Sequence, residues 1–383
     1  MKSLQAFIHI LSIPFKLTFT HAMAKRSDCD SVIVELRDGE YRGFGEAVLR
    51  EYVNGPEASS EDLHILARRV GEIIEILWGP DMQACSFASL KEAVLNRTWK
   101  RGDLPLLSAV EGAMLDIFCQ REGKDIYSLI AEEPLRTEIV YGGVVPILPI
   151  EALTMMVRNY LHHGIPYIRL KLSQNIEQNR EILTAVRDTA GMDYDIRVDV
   201  NGAWKLEDAV GHLELLRKYR IMLVEEPLGP DPQAMKRLAG RSEGTGVSYV
   251  ADESAVTLAD IDRVIEDGSF SMINIRLAKN GGLLRSLAIA GMAEEAGLKY
   301  QLGCHVGETG ISSVKGRIAA SLMPNPIYID GSFDDYILAD NITRRSYTFG
   351  PKGSAGVIRG EGIGYQVDQD KLQTYSRDIL PIP

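Results

Sequence analysis

The stretch LVEEPLGP (residues 223–230) sets two adjacent carboxylates, Glu225 and Glu226, between an apolar run and a proline. The run Ile221, Met222, Leu223, Val224 reads as a buried strand, and Pro227 ends regular pairing. Side chains alternate across a strand, so the two carboxylates are expected on opposite faces, one of them inward. A bare buried carboxylate is costly, so the inward one needs a partner. The pattern recurs on both sides: DIRVDVN holds Asp199 and VSYVADES holds Asp252, at spacings of 26 and 27 residues from Glu225. Each spacing matches one strand-plus-helix unit.

Working outward, eight short apolar runs begin near residue 137: EIVYGGVV, YIRLKLS, DIRVDVN, IMLVEEP, VSYVADES, SMINIRLA, KYQLGCHVG and IYIDGS. Between them lie helical patterns over 150–163, 176–190, 206–219, 231–240, 257–267, 281–297 and 310–322. Repeated βα units predict a parallel sheet, and eight of them an α/β chain closed as a (β/α) barrel. An open doubly wound sheet is the rival, but no G-x-G-x-x-G follows the first strand. Upstream, VIVEL and GFGEAV flank Asp38-Gly39, a hairpin signal. Helical spacing then recurs in 61–78, 86–97 and 105–121. The expected organisation is an α+β capping domain (1–132), a modified TIM barrel (133–348), and a Gly-rich tail (349–383) returning to the cap.

The chain has 383 residues, 45% of them hydrophobic, enough for a substantial core, and a formal charge of −11. That balance argues against nucleic acid or an anionic membrane as partner. No run of about 18 apolar residues spans a membrane. The opening MKSLQAFIHILSIPFKL lacks a cleavage-site pattern and reads as a first strand. Four scattered cysteines without a C-x-x-C pair suit a reduced, cytoplasmic protein.

Chemistry in such a barrel sits at the C-terminal strand ends. For one acid the ordinary reading is a helix N-cap or a rim ion pair. Three acids in register on one rim repel one another unless a cation neutralises them. Hard oxygen ligands with room for water and substrate suit Mg²⁺. Lys171 ends the preceding strand, and Arg169 shares its face. Arg276 ends the sixth strand, with Lys279 just beyond. Facing each other across the carboxylates, these bases become candidates for proton transfer and anion stabilisation.

The stretches GFGEA (43–47), RLK (169–171), DVNGAW (199–204), VEEP (224–227), ADES (251–254) and INIRLAKNGG (273–282) together resemble the enolase superfamily, in its muconate-lactonizing-enzyme-like (mandelate racemase/muconate cycloisomerase) subgroup. The resemblance spans nearly the whole chain. It implies Mg²⁺ held by Asp199, Glu225 and Asp252, a small carboxylate substrate, removal of its α-proton by Lys171, and a metal-stabilised enediolate that goes on to cycloisomerisation, epimerisation or β-elimination. It also implies a homo-oligomer, a Glu226 that faces outward where variation is tolerated, and an Asn201 that buttresses a ligand or substrate oxygen.

Two departures stand out. Arg169 replaces the first lysine of the usual K-x-K, with the base kept as Lys171. Arg276 replaces a second lysine, and an arginine, with a pKa above about 12, is a poor proton shuttle. One-base outcomes gain support over a two-lysine racemase. His305 is the candidate replacement acid or base, as in acid-sugar dehydratases, although the sixth strand lacks their partner aspartate. A catalytically silent small-acid binder is the non-enzyme alternative. Glu308 and Asp330, at the seventh and eighth strands, are expected to contact substrate or cap the following turns. Lid segments 20–28 and 50–57 bring His21, Lys25, Arg26, Arg50 and Tyr52 as polar contacts.

Overall fold

The computed structural model describes residues 4–79, 85–130 and 132–382. Five strands open the chain: β1 (Gln5–Leu11), β2 (Ile13–His21), β3 (Ala24–Cys29), β4 (Val32–Asp38) and β5 (Tyr41–Ala47). β4 and β5 form the hairpin expected at Asp38-Gly39, with Asp38 opposite Tyr41 and Gly39 at a φ of 64°. Then come β6 (Glu138–Val140), β7 (Gly143–Val145), β8 (Tyr167–Lys171), β9 (Asp195–Asp199), β10 (Leu223–Glu225), β11 (Ser248–Ala251), β12 (Met272–Ile275), β13 (Lys299–Leu302), β14 (Ser354–Gly356) and β15 (Ser376–Ile382). Strands β7 to β13 form one seven-stranded parallel sheet in sequence order.

Alternation explains the sheet. Ile168, Leu170, Ile196, Val198 and Val224 join one apolar cluster under the helices, which leaves Arg169, Lys171, Arg197, Asp199 and Glu225 on the inner face. The helices follow the sequence pattern closely, as in Ile176–Ala190, Leu206–Lys218 and Gly310–Leu322. Asn175, Asp231 and Thr257 cap three of them by accepting first-turn backbone N–H groups.

The expected eight-strand ladder differs at both ends. EIVYGGVV splits into β6, which pairs antiparallel with β14, and β7, which opens the barrel sheet. IYIDGS forms no named strand. It closes the barrel through a short parallel bridge to β13, with Ile327 N–H to Tyr300 O (2.9 Å), Leu302 N–H to Tyr328 O (3.0 Å) and Asp330 N–H to Leu302 O (2.8 Å), and on the other side through Gly142 N–H to Ile329 O (2.9 Å).

The tail does return: β15 pairs with β1 at the edge of the antiparallel sheet β15-β1-β4-β5. That sheet packs on the helix Leu104–Glu122, which is buried along most of its length. Its Glu111 accepts the N–H groups of Leu283 (2.7 Å) and Leu284 (2.8 Å), capping a barrel helix from the cap side. The β2–β3 ribbon stands apart from the sheet and bridges the barrel mouth. Thr20 O accepts Ile147 N–H, and Pro14 O accepts Ala339 N–H. Among the described residues, no helix is long and apolar enough to cross a membrane.

Close approach of β5 to that long helix explains the glycines of GFGEA. A Cβ on Gly45 would lie 1.8 Å from Ala109 O, and one on Gly43 would lie 1.9 Å from Ala113 O. Gly45→Ala should therefore destabilise by about 1–3 kcal/mol or more through overpacking. Gly211→Ala, at an exposed position of the helix Leu206–Lys218 with open space around it, should be neutral or stabilise by up to about 1 kcal/mol. Urea denaturation of both variants checks the contrast.

Candidate active site

The register of the parallel strands brings the strand-end charges together. Lys171 pairs with Asp199 in the β8–β9 register, and Asp199 with Glu225 in β9–β10; Asp252 lies one residue past β11. Ligand oxygens of Asp199, Glu225 and Asp252 all fall within 4.8 Å of one another, and the three residues are buried.

Each carboxylate has basic neighbours. Lys171 Nζ donates to Asp199 Oδ2 (2.5 Å) and Asn201 Oδ1 (2.9 Å). Glu225 Oε1 accepts from Arg169 (2.6 Å), Asn274 (2.8 Å) and Arg276 (3.1 Å), and its Oε2 from Gln301 (2.7 Å). Lys279, fully buried, donates to Asp252 Oδ1 (2.9 Å) and to the backbone oxygens of Asp252 and Asn274. The protein thus supplies cations of its own, so repulsion among the three acids does not by itself demand a metal. The donor set nonetheless fits a hard divalent cation: three carboxylates converge from consecutive strands, and Asp252 Oδ2 touches Arg276 Nη2 without a well-formed hydrogen bond.

Burial pushes Glu225 toward protonation, but Arg169, Arg276 and Lys171 outweigh it and hold the carboxyl well below the usual range. Burial likewise opposes the charge on Arg276, yet Asp252 and Glu225 raise its pKa further, fixing it as a guanidinium.

Glu226 departs from expectation. It is buried, not outward, because the alternation rule assumes an extended backbone and Glu226 has a φ of 37°. Its carboxylate accepts the N–H of Asp252 (2.6 Å) and of Ser254 (3.2 Å), and the Ser254 hydroxyl. Burial pushes its pKa up to about 7. Glu226 therefore positions the loop that carries Asp252.

One cavity of about 300 Å³ opens at this rim, lined on its polar side by Arg169, Lys171, Asn201, Arg276 and His305, and from the cap by His21 and Tyr52. His21 Nδ1 accepts Met23 N–H (3.3 Å), so the neutral ring carries its proton on Nε2, 3.5 Å from Tyr52 Oη. Burial, then Lys171, lower its pKa to about 3. His305 is held well below its usual pKa by burial and then Arg276, and its Nε2 has no hydrogen-bond partner among the described residues.

Glu308 and Asp330 do not line this cavity. Glu308 accepts the His305 backbone N–H (2.8 Å), closing that turn. Asp330 is buried between Arg197 (2.5 Å) and Arg169 Nε (3.2 Å). Of the lid cations, Arg50 is buried and spent on Asp30, Leu49 O and Val306 O. Arg26 pairs with Asp30 (2.6 Å), and Lys25 is exposed. Sequence reasoning missed Arg197, Asn274 and Gln301. Two of these carried a signal: Arg197 precedes Asp199, and Asn274 precedes Arg276, by two residues, hence on the same inner face.

An α/β barrel under an α+β cap, with acids ending three successive strands, defines the architecture of the enolase superfamily. The chain belongs to the family described as Enolase C-terminal domain-like, whose model matches residues 152–371, more than half of it; its relatives and structural neighbours place it with the mandelate racemase and muconate lactonizing members. It is 26% identical over 335 residues to a hydrophobic dipeptide epimerase of Enterococcus faecalis, covering 85% of this chain and 88% of that one. It is 27% identical over 379 residues to a chloromuconate cycloisomerase of Pseudomonas sp., covering 95% of each. Among solved structures, the N-succinyl Arg/Lys racemase of Bacillus cereus superposes with a TM-score of 0.86 at 21% identity over all of both chains.

Proposed function

We propose that this protein is a Mg²⁺-dependent enzyme that removes the proton α to a substrate carboxylate. The observation that carries the reading is one cavity with Lys171 and Arg276 in its wall and three convergent carboxylates behind them. Asp199, Glu225 and Asp252 would hold the ion. Bound there, Mg²⁺ supplies Lewis-acid stabilisation of the charge that develops on the substrate carboxylate. Lys171, steadied by Asp199 and Asn201, accepts the α-proton as its amine. Arg276 follows β12, with three strands between it and β8 in the sheet order, across the mouth. It cannot exchange a proton, so it donates hydrogen bonds to the anion. Proton transfer then occurs from one face only, which favours cycloisomerisation or syn elimination.

A second reading rests on His305: its neutral ring and unpartnered Nε2 at the cavity wall equip it as a proton carrier for epimerisation. Incubating resolved enantiomers of candidate acids with Mg²⁺ in D₂O separates the two. The one-base reading expects α-deuterium in one enantiomer only, and Arg276→Lys, which restores an amine opposite Lys171, should let the other exchange. Equal exchange of both in the parent, lost for one in His305→Asn, assigns His305 as second base. Binding without exchange or turnover across a broad acid library means a silent small-acid binder.

A further inference from the structure

The same cavity runs on, away from the charged rim, into an apolar arm. Its walls are Met156 and Tyr160 from the helix Ile150–His162, Phe333, Tyr336 and Ile337 beyond the closing segment, and Phe349. Tyr336 and Phe333 pack edge-on against Phe349, with ring centroids at 5.2 and 5.6 Å. The arm's two tyrosine hydroxyls are already committed: Tyr160 donates to Val144 O (3.0 Å) and Tyr336 to Phe349 O (2.7 Å). A ligand in the arm therefore meets mainly ring faces and aliphatic carbon, with Thr18, Asn159 and His163 the polar side chains in the rest of the lining. Leu17 and Phe19 of β2 extend the apolar wall on the cap side.

Charge is as one-sided as polarity. Among the described residues, the cavity lining holds three permanent or basic cations, Arg169, Lys171 and Arg276, and no aspartate or glutamate. Three of the nearby acids face those cations: Asp199 is bonded to Lys171, Glu225 to Arg169 and Arg276, and Asp252 to Lys279; Glu253, behind Asn201 and outside the lining, accepts from that amide (3.1 Å). An ammonium entering here would lose water and meet like charge, with no carboxylate in the described lining to receive it.

Resting on the reading of this cavity as the substrate site, we infer that the substrate is a carboxylate whose distal part is uncharged and apolar, seated in the arm. A free dipeptide or a sugar acid does not meet that description.

Calorimetric titration of the full chain with Mg²⁺ present tests it using N-acetyl-L-alanine, N-hexanoyl-L-alanine and L-norleucyl-L-alanine. The last two differ only by the ammonium. Affinity should climb from acetyl to hexanoyl by up to about fourfold per methylene, the value of burying each in an apolar wall. The norleucyl dipeptide should bind at least about tenfold more weakly than the hexanoyl compound, the equivalent of one lost counter-charge. Met156→Glu should flatten the chain-length gradient and shrink or reverse the preference over the dipeptide; Tyr336→Glu, at an exposed arm position, repeats the test if the first variant fails to fold. Flat or unmeasurable affinities across the series, or a dipeptide that binds as well as its hexanoyl match, overturn the inference. A clear gradient without any α-exchange overturns the proposed reaction and leaves this inference standing. Exchange confined to polar acids does the reverse.

Discussion

Replacing Lys171 by methionine is expected to lower α-hydrogen exchange by about 10²–10⁴-fold, the range a positioned general base supplies. Methionine keeps an unbranched apolar stem in a site where Lys171 is only 5% exposed, so packing changes little while the amine is lost. The acid that Lys171 leaves behind is not stranded, because Arg169 Nη1 stays 3.4 Å from Asp199 Oδ2. The variant should therefore fold and still bind Mg²⁺ and the substrate carboxylate. Exchange is followed by NMR in D₂O, with Mg²⁺ binding measured in parallel. A variant that exchanges within about tenfold of the parent would remove Lys171 from the role of base, since a true base contributes more than that. Loss of exchange together with loss of metal would instead indicate that Lys171 organises the site.

Much of the fold and part of the site could be read from the residues, for reasons particular to each. Acids recurring at 26 and 27 residues mark one βα unit apiece, and parallel registry then obliges them to share a rim. The helix patterns survive because their apolar stripes face one sheet. What escaped the sequence depends on distant partners or on backbone that leaves the regular menu. Glu226 looked outward because alternation was carried one residue too far, through a left-handed turn. EIVYGGVV looked like one strand because nothing local announces that Glu138–Val140 pairs with a segment more than two hundred residues downstream. Gly142 permits the break: a Cβ there would fall 2.1 Å from the Tyr167 ring. Glu111 is the same kind of case, a buried charge in a largely apolar helix whose partners are the N–H groups of Leu283 and Leu284. Gln301 stands alone on its strand, and only its bond to Glu225 reveals it.

Glu225→Ala is expected to cost both metal and stability. Four donors converge on this carboxylate, two of them buried guanidinium groups, Arg169 and Arg276. Removing the acid from a buried pair leaves uncompensated charge, at about 3–5 kcal/mol, and it strands the amides of Asn274 and Gln301 as well. Thermal or urea denaturation in chelator reads this loss without any ion present. Glu225→Gln separates the two contributions: it keeps the shape and one acceptor oxygen, so more of the fold's stability should survive, while the lost charge should still abolish calorimetric Mg²⁺ binding. Glu226→Gln is the informative neighbour. Its carboxylate holds the Asp252 loop rather than pointing into the rim, so this variant should weaken Mg²⁺ binding without abolishing it, through a less fixed Asp252. Parent-like Mg²⁺ affinity in Glu225→Gln would mean that the three carboxylates exist to balance Arg169, Lys171, Arg276 and Lys279, and that the ion, if the chemistry uses one, is held elsewhere.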